Sequence, residues 1–175
     1  MTKVIDNDLG YTAIIKGLEK LGGQCVEAGV FANAGTEKDG RTKVADVAIW
    51  NEYGVDITVT PKMRGYLHTL GIHLSSNKTT IHIPARPFMR QAADANMDKW
   101  GDTAERLMTL IINGMSAEQA LELLGNQAKG DIQAIFTRGD FAPNSPATIA
   151  RKKSSRPLID TGRLRNSVDF RIKKG

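Results

Sequence analysis

Three charged side chains stand where the local pattern asks for a partner: Glu52, Arg86 and Asp160. Glu52 falls in the last turn of a helix expected to open at Thr42, carry Val44, Val47, Ala48 and Trp50, and stop at Gly54. A carboxylate there opposes the helix dipole, at a cost of roughly a few tenths of a kcal/mol unless a cation is near. Arg86 precedes Pro87, which suits the first position of a helix, so Arg86 takes the N-cap place where Ser, Asp or Asn is favoured. Its side chain must then serve another purpose. One is an ion pair with Glu52 or Asp160, to which a guanidinium is suited by its bidentate geometry; the other is contact with a neighbouring subunit or with DNA. Asp160 precedes the run Thr161 to Val168 and can accept hydrogen bonds from the free amides of the turn that follows. Thr161, Leu164 and Val168 share a face at spacings of three and four, which directs Arg163, Asn166 and Ser167 elsewhere. Arg163 and Arg165 are therefore candidates to face a partner or DNA.

No catalytic constellation accompanies these residues. There is no glycine-rich phosphate loop followed by Lys-Ser/Thr, no Gly-x-Ser-x-Gly elbow, no His-Glu-x-x-His helix, and no histidine set beside Cys25 or a serine nucleophile. Glu118 and Glu122 lie four apart on the polar face of a helix, where solvation is expected rather than a shared proton. His73 and His82 are expected to share the outer face of a hairpin with no third ligand beside them, which fits a solvated sheet face better than a metal site. Cys25 is the only cysteine, so one chain can form neither a disulfide nor a Cys-based zinc site, and its apolar neighbours imply a buried, inert thiol. The expectation is a protein without catalytic residues, metal or cofactor.

The elements that must position these side chains follow from periodicity. Residues 8–21 read as an amphipathic helix, 24–32 as a strand, and 33–41 as a polar, mobile loop. Residues 56–60 alternate as a strand ended by Pro61, 61–70 read as a second mobile loop, and 71–74 with 80–83 as a hairpin placing Ile72, Leu74, Ile81 and Ile83 on one face. From Pro87 a long helix carries Phe88, Ala92, Met97, Trp100, Ala104, Leu107, Met108 and Ile111 as an apolar stripe. Ser116 and Gln119 have capping-box spacing and open a second long helix towards Phe136, giving an antiparallel pair. Ser145 with Pro146 starts a short helix, residues 153–156 read as an exposed connector, and a last strand covers 167–173. The fold class is α+β: a small, mostly antiparallel sheet from residues near 24–31, 56–60, 71–83 and 167–173, covered by helices, with the long helical pair in the middle.

The chain of 175 residues carries 25% charged residues and can bury one core, so residues 1–175 are expected to form a single domain. Its net charge of +5 and isoelectric point near 9.4 come mostly from the C-terminal segment, where Arg151, Lys152, Lys153, Arg156, Arg163, Arg165, Arg171, Lys173 and Lys174 face only Asp160 and Asp169. Such a cluster is either a solvated basic tail or the footprint of a polyanion. No apolar run approaches the ~18 residues needed to cross a bilayer, and residues 1–6 lack the apolar stretch of a signal peptide. No membrane association is expected.

The segments Ile49-Trp50-Asn51-Glu52-Tyr53-Gly54, Ile83-Pro84-Ala85-Arg86-Pro87-Phe88-Met89-Arg90 and Pro157 to Val168, in this order and spacing, resemble the tail-completion, or head-tail joining, proteins of long-tailed bacteriophages and the related virion-morphogenesis proteins. The resemblance covers roughly residues 8–173. It implies a structural virion protein that forms a homo-oligomeric ring at the neck, completing the tail and joining it to the DNA-filled head. Its implied neighbours are other neck, connector, tail-tube or tail-terminator proteins, with non-specific contact to genomic DNA in the channel, after assembly in the host cytoplasm. It also implies that Glu52, Arg86 and Asp160 lie near one another, which favours an internal pair for Arg86. The tail terminator or another neck ring is the alternative within the virion. A phage-encoded DNA-binding regulator is the alternative of another class, although helix-turn-helix spacing and interleaved aromatics are missing.

Overall fold

In chain order the elements are α1 (Tyr11–Leu21), β1 (Gln24–Val30), α2 (Val44–Tyr53), β2 (Val55–Thr58), α3 (Pro61–Thr69), β3 (Thr80–Ile83), α4 (Phe88–Ile112), α5 (Ala117–Arg138), α6 (Pro146–Lys152), α7 (Arg163–Asn166) and β4 (Val168–Lys174). They come from a computed structural model that describes residues 11–152 and 155–174. The fold is α+β with a long helical pair in the middle, as the periodicity implies. The expected helix start at Asp8 and residues 153–154 of the connector lie outside the described residues. The strands form two separate two-stranded sheets, β1 with β4 and β2 with β3, instead of one. Among the described residues no helix is long and apolar enough to cross a membrane.

The described residues divide into two compact units. The first comprises residues up to 29, 95–131 and 170 onward. Its core is built by the periodic positions of the helices: Leu107 and Ile111 of α4 and Ala120 of α5 are buried, with Leu18, Leu21, Met115 and Leu124 packed against them. Ser116 and Gln119 complete the expected capping box, the Gln119 amide N–H donating to Ser116 Oγ at 3.2 Å and the Ser116 N–H to Gln119 Oε1 at 3.3 Å. Polar bonds hold the two helices in register. Asp131 of α5 accepts from Lys99 Nζ at 2.6 Å and from Trp100 Nε1 at 2.8 Å, and Gln127 bonds Thr103. Gly125 of α5 faces Phe170 of β4 so closely that any side chain there would run into the ring. Glu27 of β1 receives Arg171 Nη2 at 2.6 Å and Lys173 Nζ at 3.3 Å across the sheet, and these bonds, Arg171 first, lower its pKa. Cys25 is exposed on this strand, contrary to the expectation of a buried thiol: β1 has a single partner strand, β4, and of its residues only Gly29 is buried.

The second unit comprises residues 30–94 and 132–169. In it β2 pairs antiparallel with β3, Val55 opposite Ile83 and Ile57 opposite Ile81, so the true partner of 80–83 is 55–58 and not 71–74. In the stretch 61–70, expected as a mobile loop, Pro61–Thr69 form α3. Thr60 caps it, its Oγ1 accepting from the Met63 N–H at 3.2 Å, and Pro61 occupies the first turn. From α3, Arg64 donates to the carbonyls of Leu74, Ser75 and Lys78 at 3.1, 2.8 and 2.6 Å. That fork ties α3 to the end of the 71–74 segment and to the turn that follows it. His73 accordingly leaves the sheet and lies edge-to-face against His68, while His82 Nδ1 meets Asp56 Oδ1 at 2.7 Å, so the expected two-histidine face does not exist. Among the described residues no group of three or more potential ligands could hold a metal ion. The core of this unit gathers Val44, Ala48, Phe88, Ala92, Ile132, Phe136, Leu164 and Val168, with the rings of Phe88 and Phe136 at 4.8 Å.

Candidate functional site

The three segments Ile49–Gly54, Ile83–Arg90 and 157–168 meet in the second unit, where the first turn of α4 meets the last turn of α2. Glu52 is buried, and its two carboxylate oxygens accept from the backbone N–H groups of Met89 at 2.9 Å and Arg90 at 3.1 Å. The Pro87 carbonyl accepts from the Gln91 N–H at 2.9 Å, so Pro87 rather than Arg86 precedes the first helical residue. Proline has no capping side chain, and Met89 and Arg90 carry the amides that an N-cap normally serves. Glu52 serves them from a distant part of the chain. The compensation its carboxylate requires therefore comes from the positive end of the α4 dipole, not from a cation.

Arg86 is 7% exposed. The expected ion pair is not formed: its guanidinium donates from Nε to the Ala142 carbonyl at 2.9 Å and from Nη2 to the Pro143 carbonyl at 3.2 Å and Asn144 Oδ1 at 3.4 Å. The physical reason is that both oxygens of Glu52 are turned to the α4 amides and the guanidinium to the carbonyls after α5, while Asp160 stays exposed. Burial lowers the Arg86 pKa from its usual value. Asn144, also buried, turns its amide the other way and donates to the carbonyls of Ser155 and Arg156 at 3.4 and 3.1 Å. Arg86 and Asn144 thus tie the segment after α5 to the segment before α7. The Arg86 N–H closes the arrangement by donating to the Asn51 carbonyl at 2.5 Å.

Asp160 does not cap α7. Gly162, with φ 76°, precedes that helix without a side-chain bond, and the nearest substitute is Thr161 Oγ1, which accepts from the Arg163 N–H at 3.4 Å. Leu164 and Val168 are buried as the face argument requires, whereas Thr161 is exposed. Arg163 and Arg165 are exposed, and each makes a bond to a backbone carbonyl: Arg163 Nη1 to Thr36 at 2.7 Å and Arg165 Nε to Gln133 at 3.3 Å.

Around this joint lies an open cleft of about 970 Å³. Ile57, Ile81, Leu67 and Ile72 line it with Trp50 and Tyr66, and Arg86, Asn144, Asp160 and Arg163 add polar groups. Trp50 and Tyr66 are 40% and 63% exposed, so the cleft presents aromatic surface to solvent. Sequence reasoning missed Asn144 and Arg64. Asn144 sits in a Pro-flanked loop where nothing local signals burial; the Thr60-Pro61 pair was the available sign that Arg64 belongs to a helix. No family model, curated protein or solved structure matches the chain.

Proposed function

We propose that this protein is a structural component of a long-tailed bacteriophage virion, without catalytic activity, that assembles as a ring at the neck, completes the tail and joins it to the DNA-filled head. The observation that supports this reading is how the three segments resembling the tail-completion family use their charged groups. Both oxygens of Glu52 are engaged by α4 amides, and Arg86 is spent on neutral backbone and amide oxygens. The carboxylate and the guanidinium of these segments are both engaged in holding a joint, which suits a scaffold rather than a reaction centre. The exposed aromatic cleft beside the joint, with Arg163 and Arg165 exposed on the same unit, offers surface for neighbouring neck or tail proteins and for non-specific contact with DNA.

A phage lacking this chain is the test. Electron microscopy of the lysate should show filled heads and separate tails, and supplying the protein in trans should restore joined particles. Normal attached virions would refute the joining role, and empty heads would move the protein to an earlier step of head assembly. A regulator of DNA would instead bind duplex with a steep salt dependence in the purified state.

A further inference from the structure

α4 carries two apolar faces, and only one is used. Leu107 and Ile111 are buried, yet Met97, Met108 and Ile112 are 62%, 40% and 47% exposed. At about 100° per residue, Met97, Gly101, Ala104, Met108 and Ile112 fall within an arc of roughly 80°. The spacing of four, three and four from Met97 to Met108 is that of a helix seam, with small residues at its centre that permit close approach. Asp98, Asp102 and Glu105 occupy the adjoining arc, all exposed, and among the described residues none has an ion-pair partner. The surface is therefore an apolar stripe edged by acid.

We propose that this face of α4 binds the basic segment 146–156 of a second copy of the chain. The occupant follows from charge. Residues 141–159 contain no acidic residue, and Arg151, Lys152, Lys153 and Arg156 fall within six positions. Immediately before them α6 offers Ala147 and Ala150, both exposed, with Ile149 half-buried, as a small apolar counterpart to the stripe. The row from Asp98 to Glu105 is about 10 Å long, within the at most ~18 Å that the segment from Arg151 to Arg156 can span. The acidic face and the basic segment are different surfaces, so a contact made once leaves the segment of one copy and the face of the other to bind further copies, the condition for a ring or an open chain, whereas the same contact made reciprocally closes a two-fold dimer. This contact between copies does not depend on the neck role, and the two fail separately: one is read on purified protein, the other in lysates.

Carbodiimide coupling of carboxylates to amines tests it on the full chain, using an equal mixture of isotopically light and heavy protein. Mixed-isotope cross-links of the parent should join Asp98, Asp102 or Glu105 to Lys152 or Lys153, and association, read by sedimentation because the substitutions also remove reactive groups, should weaken severalfold in D98K/D102K and in R151E/K152E/K153E. Mixing those two variants should restore mixed dimers, since each supplies an intact half. The double substitution M97S/M108S should also weaken association, with little change in its salt dependence. Cross-links confined to single chains, intermolecular links through other carboxylates, or variants that associate as well as the parent would overturn the proposal.

Discussion

Glu52 accepts a hydrogen bond from the Met89 backbone at 2.9 Å, which fastens the end of α2 to the start of α4. One carboxylate thereby relieves two problems: its own position against the α2 dipole, and the unserved amides of a helix preceded by proline. Replacing it by alanine orphans both amides in a buried site. We expect E52A to lose about 2 to 3 kcal/mol, or roughly 4 to 12 °C in Tm, with E52Q intermediate because one acceptor oxygen remains. Thermal and urea unfolding of the two variants beside the parent measure this, and equal Tm values would show the contact to be incidental.

What was legible in the sequence was local. The α4–α5 pair, its capping box and the α6 start at Ser145 all follow from spacing within a few residues, and the Thr148 N–H does bond Ser145 Oγ at 3.3 Å. What was not legible depends on distant partners. Alternation in 71–74 is compatible with a strand, but β2 takes 80–83 as its partner and Arg64 holds the carbonyls of Leu74, Ser75 and Lys78. The proximity of the Glu52 and Arg86 segments was inferred from the resemblance, and the backbone bond from Arg86 to Asn51 makes that contact. The ion pair failed because counting charges ignores backbone amides and carbonyls, which here serve as the counter-groups.

Gly54 is fixed by geometry. Its φ of 75° and ψ of 165° lie in a region open almost only to glycine, and a Cβ would stand 2.9 Å from the Ala85 nitrogen and 3.0 Å from the Ile83 oxygen. Those atoms belong to backbone and cannot turn aside. G54A should cost at least about 2 kcal/mol. Because the strain falls where β2 leaves α2, faster amide exchange in 55–58 and 80–83 is the expected local signature, and unchanged exchange there would contradict it.

Glu27 predicts an acid sensitivity in the β1–β4 sheet. Its pKa is lowered, first by the Arg171 hydrogen bond and then by that of Lys173. A lowered folded-state pKa means the folded protein binds fewer protons than the unfolded chain, so the contribution is complete above the ordinary carboxylate value and fades as pH falls through the lowered one. Raising the pH above neutral should change nothing through this group. The parent should therefore lose stability more steeply than E27Q as pH drops below 4.5. Parallel slopes for the two proteins in that range would remove Glu27 from the account.

Arg86 separates the structural from the partner-contact account of its own side chain. Its guanidinium reaches two carbonyls and a side-chain amide oxygen at once, from Nε and Nη2, and only a planar fork can do so. In R86A the oxygens of Ala142, Pro143 and Asn144 lose their donor, an expected loss of about 2 to 4 kcal/mol in the purified chain. R86K keeps the charge but can serve only part of the set, so it should recover less than half of that loss. Asn144→Ala should destabilise the same joint, and the double variant R86A/N144A should lose less than the sum of the single losses, because the two side chains share one network. Strict additivity would mean that the two side chains do not share one network, and an R86A variant as stable as the parent would mean that Arg86 is held for contact with another molecule.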